Sequence, residues 1–227
     1  MQDFSQINTE LSRCFVLHLS AINDDISSAE LNAMWQDIAV HYNDSQRAYH
    51  TLRHIQQLFV QFEQIVQYLY EPHIVALALY YHDIIYVPIR SDNELKSAEY
   101  AVQKLSHYLS GDQCQQIYDL IMMTAAHQLD ELTDQEKRSD AAYLLDMDLS
   151  VLGMPWSEYE QYAKAVRQEY AHVSDTDYQN GRTHVLNQLL AHPTLYLTDY
   201  YHTQLETQAR ENIQREIHAL LRPHLDK

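Results

Sequence analysis

Between two prolines the chain reads Pro72-His73-Ile74-Val75-Ala76-Leu77-Ala78-Leu79-Tyr80-Tyr81-His82-Asp83-Ile84-Ile85-Tyr86-Val87-Pro88, and the conformation of this stretch decides the fold class. A buried helix and a buried strand are both compatible with so continuous an apolar run. The span between the prolines is well beyond the usual strand of ~5–6 residues, and Pro72 suits a first helical turn, where its missing N–H is not needed. The stretch is therefore predicted to be a central helix, apolar on nearly every side from Ile74 to Ile85. The His82-Asp83 pair inside it needs a reason. A carboxylate beside an imidazole in apolar surroundings is unfavourable unless its charge is balanced, and a divalent cation would balance it for both side chains at once.

Working outward, helical periodicity continues on both sides. Upstream, Leu11, Phe15 and Leu19 mark one helix, and Ser27-Ser28-Ala29-Glu30 offers a capping box for a second with the stripe Leu31, Met34, Trp35, Ile38 and Tyr42. After the polar gap Asn43-Asp44-Ser45 comes a third, with Leu52, Ile55, Phe59, Phe62, Val66 and Leu69 inward. His50 and His54 are expected one turn apart on this helix, on a face turned roughly 140 to 180° from the Leu52/Ile55 stripe. Downstream, Asp92 is expected to cap a helix with Leu95, Ala98, Val102, Leu105 and Leu109 inward, ended by Gly111. Asp112 starts the next, with Ile117, Leu120, Ile121 and Thr124 leading to His127. A capping box at Thr133-Asp134-Gln135-Glu136 opens a helix in which Asp146 and Asp148 interrupt an apolar run. Ser157 with Glu160 opens another, through Tyr170, and Thr198 a long last one with Leu205, Ala209, Ile213 and Leu220 inward. No period-two pattern persists and no Gly-, Ser- or Pro-rich linker divides the chain, so the expectation is an all-α single compact domain over residues 1–227.

Composition supports this reading and excludes several functions. A chain of 227 residues with 46% hydrophobic content holds one sizeable core, and three glycines, expected in loops, are too few for an all-β sandwich or a phosphate-cradling glycine loop. The net charge of -17 repels nucleic acid and anionic lipid, yet one bound cation could reverse the field locally for a small phosphorylated substrate. Cys14 and Cys114 form no ligand-spaced pair and read as ordinary thiols of a reducing compartment. Met1-Gln2-Asp3 opens no basic, apolar leader, and no apolar run approaches the ~18 residues of a membrane span. A cytoplasmic protein is expected, with no membrane partner; whether it acts alone or as a homodimer is left open.

His50, His54, His82, Asp83 and Asp148 come from three separated helices, and such nitrogen and carboxylate donors suit Mn, Fe, Co, Ni, Zn or Mg. In order and spacing these residues resemble the HD-domain metal-dependent phosphohydrolases, whose ligands are a His, a later His-Asp pair and a distal Asp. Tyr49-His50-Thr51-Leu52-Arg53-His54 is similar to a cyclic-nucleotide phosphodiesterase pattern in which the first His donates a proton and the second binds metal. Asp148-Leu149-Ser150 is similar to the distal ligand motif, which leaves Asp146 a supporting or capping role. The resemblance is closest to an uncharacterised bacterial subgroup, matching also at Asp92-Asn93-Glu94, Ser97-Ala98, Val166-Arg167-Gln168-Glu169-Tyr170, Gly181-Arg182 and Ala209-Arg210-Glu211-Asn212.

The resemblance implies an HD-type helical bundle that hydrolyses a phosphate ester, a monoester or diester, on a small nucleotide-like substrate. It implies His54, His82, Asp83 and Asp148 as ligands of a divalent ion, and His50 and Asp83 in the chemistry. Arg90, Arg167 and Arg182 are expected beside the substrate because guanidinium forks match phosphate oxygens, with Glu94 and His127 completing that set. The chain departs from the pattern at Ile84-Ile85-Tyr86, where many members carry Ile-Gly-Lys. His107 and His127 are the only histidines between the His-Asp pair and Asp148, and this scarcity favours one metal ion over two. The competing readings are a di-iron HD-type oxygenase and a regulatory module that binds nucleotide or metal without turnover.

Overall fold

The computed structural model describes residues 4–129 and 132–222, and among these every regular element is helical. The fold class is all-α. Met1-Gln2-Asp3, on which the reading of the leader rests, lie outside the described residues. Among the described residues no helix is long and apolar enough to cross a membrane. The chain divides into two compact units, Met1–Met147 and Asp148–Lys227.

The first unit contains α1 (Phe4–Ile22), α2 (Ser28–Tyr42), α3 (Leu52–Ile65), α4 (Pro72–Tyr81), α5 (Asn93–Leu105), α6 (Gly111–Thr124) and nearly all of α7 (Gln135–Leu149). The stretch read as a central helix is α4, and it packs against α1, α3, α5 and α6. Every residue from Ile74 to Tyr81 is buried, and each fully buried Ile, Val or Leu side chain among them contributes roughly 1.5–3 kcal/mol. Tyrosines are tolerated here because their hydroxyls find backbone partners: Tyr80 donates to Leu11 O at 2.8 Å and Tyr42 to Tyr80 O at 3.0 Å.

Helix α4 is shorter than the apolar run suggested. The His82 N–H still donates to Ala78 O at 2.9 Å, the chain then turns, and the Ile84 N–H donates to Tyr81 O at 3.2 Å. Ile84 is buried, so the apolar run continues past the helix as a packed turn. Other boundaries moved for similar local reasons. Thr51 caps α3, accepting from the Arg53 N–H, so His50 lies in the bend before the helix rather than on it. Ile65 takes the seam position expected of Val66, which is exposed. Helix α5 ends at Leu105; Ser110 and Gln113 form the capping box of α6, placing Gly111 in its first turn. At α7 the cap is Asp134, which accepts from the Glu136 and Lys137 N–H groups at 2.9 and 3.2 Å. The Ser27 box and the buried stripe of α2 are as expected.

A packed histidine pair joins α1 to the start of α4. His18 Nδ1 and His73 Nδ1 are 2.9 Å apart, and the His18 ring lies against Phe59 and Phe62. Burial, aided by the neighbouring His73, lowers the His18 pKa to about 4. In the unfolded chain the same ring takes up a proton near 6.5, so between these values the unfolded state binds more protons and stability falls as the pH is lowered. We predict a loss on the order of 2–3 kcal/mol from this residue between pH 6.5 and 4. Urea unfolding across that range should show it, and His18→Leu should remove that component while leaving the carboxylate-driven acid loss in place.

The second unit contains α8 (Trp156–Glu169), α9 (Asp175–Ala191) and α10 (Asp199–Leu220), with a 3₁₀ turn at Ser150–Gly153 packed against α8 and α10. A Cβ on Gly153 would meet Leu205 Cβ at 2.5 Å, so glycine is what allows this close approach. Helix α8 starts at Trp156 after Pro155, without the side-chain cap expected of Ser157. Thr198 caps α10 as expected. Helix α9 has no counterpart in the periodicity reading because only Tyr178 and Leu186 are buried along it, and Gly181 lies within it rather than in a loop.

Candidate metal centre

The residues of the candidate site are carried by four pieces of chain. His54 is in the first turn of α3, His82 is the C-cap of α4, Asp83 is in the turn that follows, and Asp148 is the penultimate residue of α7. His54 is buried, contrary to the expectation that it would face away from the core seam. Leu58, one turn further along α3, is buried as well, so the side of the helix that carries His54 packs inward. Helix α7 runs unbroken past the end of the first unit, with its residues through Met147 inside that unit, and so carries Asp148.

His54 Nε2 and His82 Nε2 are 3.3 Å apart. His82 Nδ1 lies 2.9 Å from Leu79 O, and a carbonyl can only accept, so Nδ1 carries the hydrogen. In the neutral ring the Nε2 lone pair is then turned toward His54. Asp83 Oδ2 lies 2.9 Å from His82 Nε2 and 3.8 Å from His54 Nε2. Lone pairs and a carboxylate converging at these separations require positive charge among them, from a proton or a cation. One donor atom from each of His54, His82 and Asp148 lies within 4.8 Å of the others, and this group could hold a metal ion. Two imidazoles and a carboxylate fit a divalent transition ion, and the hydrogen bond to Leu79 O is the kind of outer contact that orients such a ligand.

His50 stands at the edge of this group. Its Nε2 is 3.8 Å from Asp83 Oδ2, and its ring stacks on Tyr86 with centroids 3.8 Å apart. The His50 and His54 ring centroids are 6.0 Å apart, with Tyr49 in contact with both rings. The two histidines thus meet through a bend and a helix start rather than along one helical face.

The supporting contacts were largely missed from sequence. Arg47, between the Asn43-Asp44-Ser45 gap and His50, donates to His50 O, Asp83 O and Ile84 O. Ser97 exchanges hydrogen bonds with the Ile85 N–H and carbonyl, and Asn93 does the same with Val87, so α5 holds the segment after the His-Asp pair. Asp140 of α7 accepts from the Tyr70 and Glu71 N–H groups at 2.8 Å each, tying that helix to the start of α4. Burial pushes the Asp140 carboxyl above its ordinary range, against the pull of those two donors. Asp140 follows the polar run Gln135-Glu136-Lys137-Arg138-Ser139 and precedes the apolar run that holds Asp146, so the local pattern marks neither Asp140 nor Arg47.

The expected substrate contacts have other partners here. Arg90 is held by Asp92 through two bonds of 2.8 Å, which also explains why Asp92 does not cap α5 through its side chain. Glu94 is half-buried in the first turn of α5. His127 follows α6 in the left-handed region at φ 50°, its N–H on Met123 O. In the second unit Arg167 donates to Tyr170 O, Val173 O and Asp175, joining the end of α8 to the start of α9. Arg182 is paired with Glu216 at 2.8 and 3.1 Å and also donates to the Tyr162 hydroxyl, an internal ion pair of that unit. Comparison with family models, curated proteins and solved structures finds no match for this chain.

Proposed function

We propose that the protein is a metal-dependent phosphohydrolase of the HD type, cleaving a phosphate ester on a small nucleotide-like substrate. The observation that carries this reading is the convergence of His54, His82 and Asp148 on one point, with Asp83 Oδ2 beside the two imidazoles. His54, His82 and Asp148 would hold one divalent ion, with Asp83 as the fourth ligand. When bound, such an ion supplies Lewis acidity toward a phosphoryl oxygen and lowers the pKa of a bound water. His50 holds the proton that the leaving oxygen needs, and Tyr86 keeps its ring in place by stacking. Arg90, Arg167 and Arg182 already spend their guanidinium groups on protein partners, which supports a site where the phosphate charge is met mainly by the metal. The acidic surface supports a small substrate over nucleic acid.

The test is a panel of phosphomonoesters and phosphodiesters, nucleotides included, assayed with protein loaded in turn with Mn, Co, Ni and Mg. Release of phosphate or alcohol that disappears on chelation and returns with metal is expected. Metal-loaded protein inert toward every ester would overturn the proposal, and two tightly bound irons with oxygen-dependent turnover would replace it with an oxygenase.

A further inference from the structure

Arg47 is the side chain through which the two irregular pieces of the candidate site meet. Its Nη1 donates to His50 O at 3.1 Å and Asp83 O at 2.8 Å, and its Nη2 donates to Ile84 O at 2.7 Å. The guanidinium lies 5.0 Å from the Tyr42 ring centroid and 5.9 Å from that of Tyr86, and Tyr86 in turn stacks on His50. The three carbonyls belong to a bend and a turn, segments that have no helical ladder to satisfy them. A planar fork with five N–H groups spans all three, whereas a lysine ammonium has three donors on one atom and lacks that reach.

We propose that Arg47 is a positioning residue of the metal centre, locking the His50 bend onto the His82–Asp83 turn and thereby setting where Asp83 and His50 stand relative to the ligand group. The role rests on the metal reading above. Guanidinium offers no lone pair, so Arg47 is not a ligand, and its influence on the ion passes through the two backbone segments it holds.

The experiment titrates Co²⁺ into the full chain, following the visible absorption of the bound ion with chelator competition, at a temperature well below each variant's melting point. Arg47→Ala should bind Co²⁺ about 10- to 100-fold more weakly, the range for outer contacts of metal ligands, with a changed absorption band. Arg47→Lys should fall between it and the wild type. Ile117→Val, a core truncation in α6, should lower thermal stability yet keep wild-type Co²⁺ affinity, separating positioning from general loosening. Wild-type affinity in Arg47→Ala would overturn the proposal, and so would tighter binding, the result expected if the guanidinium acted only by repelling the ion. If Arg47→Ala does not fold, Arg47→Lys decides, and full affinity and an unchanged band there overturn the role. A wild type that binds no Co²⁺ would overturn the metal reading itself, and this role with it.

Discussion

Replacing His54 with alanine is expected to abolish retention of a divalent ion by the purified protein, along with any metal-dependent turnover. His54 is one of three groups whose donor atoms lie within 4.8 Å of one another, and its Nε2 faces His82 Nε2 at 3.3 Å. Contacts that merely orient metal ligands change affinity by roughly 10–100-fold, so removal of a ligand should exceed that range. The ion stabilises only the folded form, by an amount that grows with the logarithm of its concentration over its dissociation constant. Added Mn²⁺ or Ni²⁺ should therefore raise the melting temperature of the wild type and leave that of His54→Ala unmoved. Asp148→Asn tests the same group from another helix, with little change in volume. Elemental analysis and melting curves of both variants provide the check, and wild-type metal content in each would dismiss the site.

The second large effect is expected at His50, with the opposite split. His50 lies outside the three-residue group, its Nε2 3.8 Å from Asp83 Oδ2 and its ring against Tyr86. His50→Ala should keep the ion and lose about 10²–10⁴ in turnover, the usual contribution of a positioned acid. The loss should follow the leaving group. A nitrophenolate departs with little protonation and should be hurt least, whereas a ribose or alkyl alkoxide must be protonated as it leaves and should be hurt most. Rates on both ester types, measured beside metal content, decide the assignment. Metal loss equal to that of His54→Ala would make His50 a ligand, and unchanged rates on every ester would make it a bystander.

What the sequence by itself determined is the helical class and most of the seams. The run from Ile74 to Tyr81 could only be buried, the α2 stripe and its Ser27 box needed only helical geometry, and a His-Asp pair in apolar surroundings marked where charge would have to be balanced. These are local signals, carried by spacing along a few turns. Helix α9 escaped because a helix with two buried side chains leaves almost no period to find.

The tertiary structure alone decided which polar groups meet. The end of α4 at Tyr81 leaves His82 as its C-cap and Asp83 in the turn beyond, and α3 packs the side bearing His54 and Leu58 inward while His50 joins from the bend before Leu52. Neither boundary follows from hydrophobic pattern, because the apolar run continues past Tyr81 and a helical reading places His50 and His54 equally well on one face. The carbonyls gathered by Arg47 and the N–H groups gathered by Asp140 lie far away in sequence or outside any repeat. The physical reason is that backbone groups outside helices must find partners wherever the folded chain brings a donor or acceptor within reach, and periodicity carries no record of that choice.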